Sequence, residues 1–410
     1  MEKKKVTIDE QVALLMQGTS YGDDQLKQAM ADELRQRLIE AKKENRPLRV
    51  YCGFDPRTSD LHLGHTVPMR KLGQFQELGH EVIFVVGNYT SLIGDPSDKD
   101  KLRTQLTQAE VAHNAQTYAE QAYKILDRKK TKIRYNAEWL SELSFLELIK
   151  LASNFTLQQF VNRENFRKRW DNADPIYLHE TFYAIMQGYD AYQLGADVQV
   201  GGTDQLFNIV TAARKLMGFM GAKPNVAIIL DILPGTDGEV KMSKSLGNHI
   251  PLLSSPEDMY GKVMSVPDKA MDKYFRLVTS WTPAEIAEIE ASLSGGALHP
   301  RDAKMRLAKE IVRIYHGEPA AQEAETHFKR VFQQGGLPDE MAEFRLEAGS
   351  TVLDVLVKGG LVASKSEGRR LIDQQGVKLD GQALQDPYAV FPGSGVLQVG
   401  KRRFLRIVSG

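Results

Sequence analysis

Cysteine is nearly absent: Cys52 is the only one in 410 residues. An intrachain disulfide is therefore excluded, and a reducing compartment suits the chain. No run of about 18 apolar residues occurs, so no transmembrane helix is expected. The start, MEKKKVTIDEQ, has no apolar stretch after its lysines, so no secretory signal is expected. Neither sign of charge is in excess, with 53 Lys plus Arg against 53 Asp plus Glu. A nucleic-acid partner would have to be held by local patches, because no global basic field exists. Internal repeats and low-complexity tracts are also missing. What remains is the composition of a cytoplasmic enzyme with two or three domains and a sizeable core.

The order of apolar runs gives the architecture. Residues 24–44 read as an amphipathic charged helix. The run 48–54, LRVYCGF, is rich in strand formers, and 66–79 has helical spacing at Val67, Met69, Leu72 and Phe75 before Gly79. Pro68 is compatible with that helix only in its first turn. HEVIFVVGN is then a continuous apolar strand of the buried parallel type. The pattern returns with a helix at 180–195, a strand in ADVQVGG, a helix from TDQLFNIVTAARKLMG and a strand in NVAIIL. Residues 105–175 between the halves read as mostly helical. Residues 1–233 are thus expected to form an α/β domain, a Rossmann-like doubly wound parallel sheet split by a helical insertion. A loop follows at 234–250, then an α-helical region at 251–335 with a linker near 333–340. A small α+β segment occupies 343–410, with two short helices and strands in VKLDGQAL, GVLQVG and RRFLRIV.

Two stretches carry chemistry. In LHLGH, His62 and His65 lie three apart. A metal pair is conceivable, but no Cys, third His or suitable Glu nearby completes a set, so no protein-bound metal is expected. The segment falls between a buried strand and a helix N-terminus, where free N–H groups and the helix dipole favour phosphate. Gly64 lets a ligand approach the backbone. Two imidazoles there can hydrogen-bond phosphate oxygens as charge builds in a transition state. GEVKMSKSLGN, 238–248, is a glycine-flanked loop with two lysines. Such a loop is ordinarily a solvated turn. Lys241 and Lys244 also suit a clamp that closes on a polyphosphate. It lacks the GxxxxGK[ST] pattern and is not a Walker loop.

HLGH after the first strand and KMSKS after the last resemble the signatures of class I aminoacyl-tRNA synthetases. The wider set, YCGFDP, LIGDPS, YAIMQGYD and VGGTDQ, resembles the bacterial tyrosyl-tRNA synthetases from about residue 30 to the C-terminus. The resemblance implies activation of L-tyrosine with ATP, brought as its Mg2+ complex, followed by transfer of the tyrosyl group to the 3′ end of tRNA(Tyr). It implies that His62 and His65 hold ATP phosphates, with Gly64 under the adenine and Lys241 and Lys244 in the mobile clamp. Gly53, Asp55 and Asp204 would also border ATP, Asp204 at the ribose, with Lys99 and Arg103 meeting the pyrophosphate. Tyr183, Gln187 and Asp95 would hold the substrate ammonium, and Tyr51 and Asp190 its phenol hydroxyl. Gln199 would line the amino-acid pocket and Gln205 the reacting carboxyl region.

Structural readings stand beside these. Tyr183 and Tyr189 are also explained as a packed aromatic stripe, and Asp204 as a helix cap after a strand. Arg57 replaces the small hydroxyl residue common after DP, and Asp98 stands where glycine is common. Their roles at the phosphate site are left open. From residue 343 on, ten Lys and Arg face seven acids. The arrangement SKSEGRRLIDQQGVKLDG resembles a small RNA-binding domain of a ribosomal small-subunit protein. Lys365, Arg369 and Arg370 would contact phosphates there, and the helical region would belong to the anticodon-recognising surface. The resemblance also implies a homodimer and no membrane association. Rival readings are the tryptophanyl relative, a synthetase-like RNA chaperone without catalysis, and a generic nucleotidyltransferase.

Overall fold

The computed structural model describes residues 6–56, 61–97, 107–332, 341–347, 349–400 and 403–409. Two compact units divide the chain, Met1–Ala321 and Gln322–Gly410. The first opens with helices α1 (Ile8–Met16) and α2 (Asp24–Lys43), and Asp23 caps α2 by accepting from the N–H groups of Gln25 and Leu26. Then come β1 (Arg49–Phe54), α3 (Leu63–Glu77) and β2 (Glu81–Val86). The insertion holds α4 (Gln108–Ala122), β3 (Thr131–Tyr135), α5 (Ala137–Leu140), α6 (Phe145–Ala152), α7 (Leu157–Val161) and α8 (Glu164–Asp171). The sheet resumes with α9 (Leu178–Gln193), β4 (Val198–Gly202), α10 (Arg214–Phe219) and β5 (Val226–Leu230).

All five strands run parallel in the order β3-β2-β1-β4-β5. The chain winds outward from β1 to β3 and then resumes beyond β1 at β4. The strand order therefore reverses between β1 and β4, the place where open α/β sheets bind ligands at their carboxyl ends. Val82, Phe84, Val85 and Val86 are fully enclosed, as are all five residues of β5 to within 2%. That burial explains why both strands read as unbroken apolar runs.

The insertion is mostly helical, and KTKIRY adds β3 at the sheet edge, with alternating half-exposed residues. One expectation is corrected. Helix α3 begins at Leu63, earlier than expected, so Pro68 lies in its second turn rather than its first. Pro68 offers no N–H to the Gly64 carbonyl four residues back. Residues 203–219 are helical, but as a 3₁₀ turn, Thr203–Gln205, a π-helical stretch, Phe207–Ala213, and then α10. π-Helical turns often accompany functional sites.

After the 234–250 loop come α11 (Pro256–Ser265), α12 (Met271–Val278), α13 (Pro283–Ser294), α14 (Pro300–His316) and α15 (Glu318–Phe332), without strands. Serine, threonine or histidine caps precede α11, α13 and α14, each with proline at the start of the helix. The second unit contains β6 (Glu343–Leu346), α16 (Val352–Lys358), α17 (Lys365–Asp373), β7 (Val377–Leu379), β8 (Gln382–Ala383), β9 (Gly395–Val399) and β10 (Arg403–Ser409). Its five-stranded sheet has the order β6-β10-β9-β7-β8 and packs on Val352, Leu353, Leu356 and Ile372. Strand β6 was not expected from the sequence. The linker at 333–340 lies outside the described residues.

Candidate active site

Segments at the carboxyl ends of all five sheet strands meet at the point where strand order reverses. Tyr51, Gly53 and Asp55 alternate with Val50, Cys52 and Phe54 along and just past β1, so they share one face. That face looks toward α9: the Tyr51 hydroxyl donates to the Gln187 carbonyl at 3.4 Å, and the Tyr183 hydroxyl donates to Asp55 Oδ2 at 3.1 Å. Gly53 lies between these two contacts. It is exposed, and an added Cβ would meet nothing within 4 Å. A central strand of a buried sheet thus leaves an open gap between two tyrosine anchors.

One end of the gap is a closed polar network. Asp190, 4% exposed on α9, accepts from Trp139 Nε1 at 2.7 Å and from Asn136 Nδ2 at 3.3 Å. Asn136 also donates to Thr90 Oγ1 at 3.0 Å and accepts from the Tyr89 N–H at 2.9 Å. Thr90 donates onward to Asp55 at 2.8 Å. Burial pushes the Asp190 carboxyl up to about 7, although the Trp139 and Asn136 donors favour its charged form. The Tyr51 phenol is pushed well up by burial and then by the nearby Asp190 charge. Gln187 Oε1 is buried with no hydrogen-bond partner among the described residues. An orphaned acceptor of this kind fits a ligand donor.

Asp95 and Gln205 meet on the opposite side of the gap. Gln205 Nε2 donates to Asp95 Oδ2 at 2.5 Å and to Ser97 Oγ at 3.1 Å, and the Ser97 N–H donates to Asp95 Oδ1 at 2.8 Å. At Gly201 an added Cβ would lie 2.5 Å from Ile209 Cδ1 and 3.0 Å from Gln205 Cβ, so a side chain there would displace its neighbours. Gln199 pairs in register with Tyr51, but its amide oxygen accepts from Asn225 at 2.8 Å, so its side chain joins a different polar contact. Burial pushes the Cys52 thiol up, which leaves it a poor nucleophile.

The LHLGH segment is stitched by backbone to the residues that follow the KMSKS segment. The Leu63 N–H donates to the Ile250 carbonyl at 3.0 Å, and the Leu252 N–H to the Leu61 carbonyl at 2.9 Å. His62 is the N-cap residue of α3, and its N–H donates to His65 Nδ1 at 3.2 Å. The two imidazoles lie 3.8 Å apart between centroids, tilted by 38°, and the His249 ring lies 6.1 Å from that of His62. Burial first, then the neighbouring His65, His249 and Lys241, push His62 down to about 2, so it is a neutral imidazole at physiological pH. A Cβ on Gly64 would come within 3.0 Å of the His62 ring and 3.5 Å of Met242 in the lysine loop. That loop is shaped by Asn248, whose Oδ1 accepts from the Ser243 N–H at 2.8 Å and whose Nδ2 donates to Asp237. Lys241 Nζ donates to Asp204 Oδ2 at 2.9 Å. Asp204 caps no helix: Gly202 and Leu206 hold the N-cap positions on either side of it. Lys244 opens a 3₁₀ turn that ends on Gly247 at φ 69°.

Lys99, Arg103, Arg57 and Asp98 lie outside the described residues. In the second unit Lys365 pairs with Asp354 at 2.8 Å, Arg369 lies 5.2 Å from the Tyr388 ring, and Arg370 is exposed on the same helix. Asn136, Trp139, Thr90 and His249 escaped the sequence reading. The first two follow β3, and recognising that strand would have marked its carboxyl end as part of the site.

These features place the LHLGH segment, the lysine loop and the Asp190 network together at the carboxyl ends of a parallel α/β sheet. The family model of class I tRNA synthetases (W and Y) matches residues 42–333. A tyrosine–tRNA ligase of Moorella thermoacetica is 48% identical over 380 residues, covering 92% of each chain. One of Haemophilus influenzae is 48% identical over 371 residues, 90% of this chain and 92% of that one. The crystal structure of tyrosyl-tRNA synthetase complexed with L-tyrosine from Archaeoglobus fulgidus aligns with TM-score 0.59 at 25% identity, covering 78% of this chain and all of that one. The chain belongs to the class I tRNA synthetases and, within them, to the tyrosyl-tRNA synthetase family.

Proposed function

We propose that the gap over Gly53 receives L-tyrosine and that the cleft between His62 and the lysine loop receives ATP with its Mg2+. The enzyme is a tyrosine–tRNA ligase. The tyrosine carboxylate attacks the α-phosphate in line. The new bond is carboxyl oxygen to phosphorus, the bond to the β-phosphate oxygen breaks, and pyrophosphate leaves with the electron pair. A hydroxyl at the tRNA 3′ end then attacks the activated carbonyl and AMP leaves. No step needs a covalent enzyme intermediate, so positioning and charge stabilisation carry the catalysis.

The Asp190 network is the observation that carries the amino-acid choice. A buried carboxylate aimed at a phenol donor is left unpaired by phenylalanine, and such sites reject the deoxy analogue by about 10⁴-fold or more. The amino group falls to Tyr183, Gln187 and Asp95. His62, a neutral imidazole, and His65 act as donors to the leaving phosphates. Lys241 moves from Asp204 to the polyphosphate, which frees Asp204 for the ribose. The test is amino-acid-dependent exchange of labelled pyrophosphate into ATP. Exchange with tyrosine but not phenylalanine or tryptophan supports this reading. Exchange with tryptophan overturns the pocket assignment, and no exchange overturns the activation chemistry.

The enzyme pairs with a second copy through the helical insertion, where Phe145, Leu146, Ile149 and Leu157 are each at least half exposed, and through Leu178 at the start of α9. Phe145→Asp with Ile149→Asp is expected to shift the solution mass toward that of one 46.0 kDa chain. Lys365, Arg369 and Arg370 contact tRNA phosphates, and the helices from α11 to α14 face its anticodon end. Replacing the three basic residues lowers aminoacylation and leaves pyrophosphate exchange intact. The setting is cytoplasmic, in keeping with a lone buried thiol. Among the described residues no helix is long and apolar enough to cross a membrane.

A further inference from the structure

Among the described residues Arg163 is a buried cation without a coordinated anion. It precedes α8 as its N-cap residue and is 6% exposed. Its guanidinium lies 4.7 Å from the ring centroid of Phe207 and 5.2 Å from that of Phe166, two faces that attract a delocalised cation. Among the described residues the side chain makes no hydrogen bond or ion pair, and its Nη1 is fully enclosed. A buried guanidinium ordinarily closes on a nearby carboxylate. The groups whose charge bears on Arg163 are Asp95 and Tyr183, and both are engaged elsewhere. Asp95 accepts from Ser97 and Gln205, and Tyr183 donates to Asp55.

Arg163 is also fixed to the segments that carry Asp95 and Gln205. Asn165, two residues on, donates to the Pro96 carbonyl, and Phe207 lies two residues after Gln205. The site thus holds one negative and one positive group on segments tied to each other, with no ion pair between them among the described residues. That arrangement is the complement of a zwitterion. A free amino acid carries an ammonium and a carboxylate on adjacent atoms, and each would satisfy one of the two.

We propose that Arg163 is a substrate-binding residue that receives the α-carboxylate of the incoming amino acid while Asp95 receives its ammonium. This rests on the reading that Asp95, with Tyr183 and Gln187, holds the amino group. Arg163 then fixes the nucleophile before the attack on the α-phosphate. Once the carboxylate becomes an acyl phosphate its charge is spent, and this contact weakens as the product forms.

The test compares equilibrium binding of three ligands: tyrosine, tyrosinol, which lacks the carboxylate, and 3-(4-hydroxyphenyl)propanoate, which lacks the amine. Arg163→Met is expected to weaken tyrosine by roughly tenfold or more and tyrosinol by less than about twofold, the size of one lost charge-assisted bond. Equal weakening of both ligands, or no weakening of tyrosine, overturns the proposal. Arg163→Lys keeps the charge on the aromatic faces but loses the planar fork. It should lose tyrosine selectively over tyrosinol to a smaller degree, and it provides the reading if the Met variant does not fold. Asp95→Asn separates the underlying assumption: it should weaken tyrosine and tyrosinol but spare the propanoate. If it weakens all three alike, the ammonium assignment fails, whatever Arg163 does.

Discussion

The two ends of the cleft are built differently. The amino-acid end rests on β1, α9 and the residues after β3, and its donors and acceptors are already paired to one another around Asp190. The phosphate end rests on a helix N-terminus and a lysine loop, and Lys241 there is 44% exposed at the side chain. On the proposed assignment, recognition sits on packed elements, while the groups proposed to meet moving charge sit on a partly exposed loop. The difference predicts that damage to the first end changes which substrate reacts, and damage to the second changes how fast it reacts.

The sharpest break comes from Asp190→Ala. Discrimination of tyrosine over phenylalanine in pyrophosphate exchange should fall by about 10³-fold or more, because the group that phenylalanine leaves unpaired is gone. Unchanged discrimination would move phenol recognition elsewhere. His62→Ala should lower kcat for exchange by roughly 10²-fold to 10³-fold, as for one oriented transition-state donor. Tyrosine binding, followed by equilibrium dialysis, should be unaffected, and a parallel loss there would erase the contrast between the two ends.

A pH series sharpens the same comparison with a smaller effect. Folding raises the Asp190 carboxyl from its ordinary 3.8 to about 7 and so favours its protonated form. Its contribution to stability is full below about 3.8 and is lost as pH rises through about 7. In the proposed complex the substrate phenol donates to the ionised carboxylate. Tyrosine should therefore bind more tightly, and raise the Tm more, above about pH 7 than below it. Asp190→Asn should flatten this dependence, and a persistent slope would assign it to another group. The smallest effect belongs to the Lys241–Asp204 pair. Half-exposed ion pairs contribute about 1 kcal/mol or less, so a double-mutant cycle on urea unfolding should find a coupling below that. The same cycle on kcat should find a larger one if Lys241 moves to the polyphosphate.

Much of the catalytic sheet was legible because four of its strands are buried on both faces. VYCGF, EVIFVV, VQVGG and VAIIL read as apolar runs for that reason. KTKIRY was not legible. An edge strand keeps lysine and arginine in water, and its half-exposed alternation resembles a polar loop. Missing β3 hid Asn136 and Trp139, which follow it, and so hid the partners that orient Asp190. Pro68 was misjudged because the start of α3 is set by His62 and by the Ile250 carbonyl, a residue 187 positions away along the chain. Arg163 was not marked either: Phe166 is three residues away, but Phe207 and Asp95, which give the site its character, are remote in sequence.

The sequence by itself determined the strand–helix alternation, the two signature segments and the residue types at each. These follow from hydrophobic periodicity and local backbone chemistry, which act over a few residues. Tertiary structure alone decided what each polar group faces. It joined the LHLGH segment to the residues that follow the lysine loop by backbone hydrogen bonds, paired Lys241 with Asp204, drove His62 neutral and raised Asp190 toward 7. Those outcomes depend on burial and on charges brought together from distant positions, and neither quantity exists until the chain has folded.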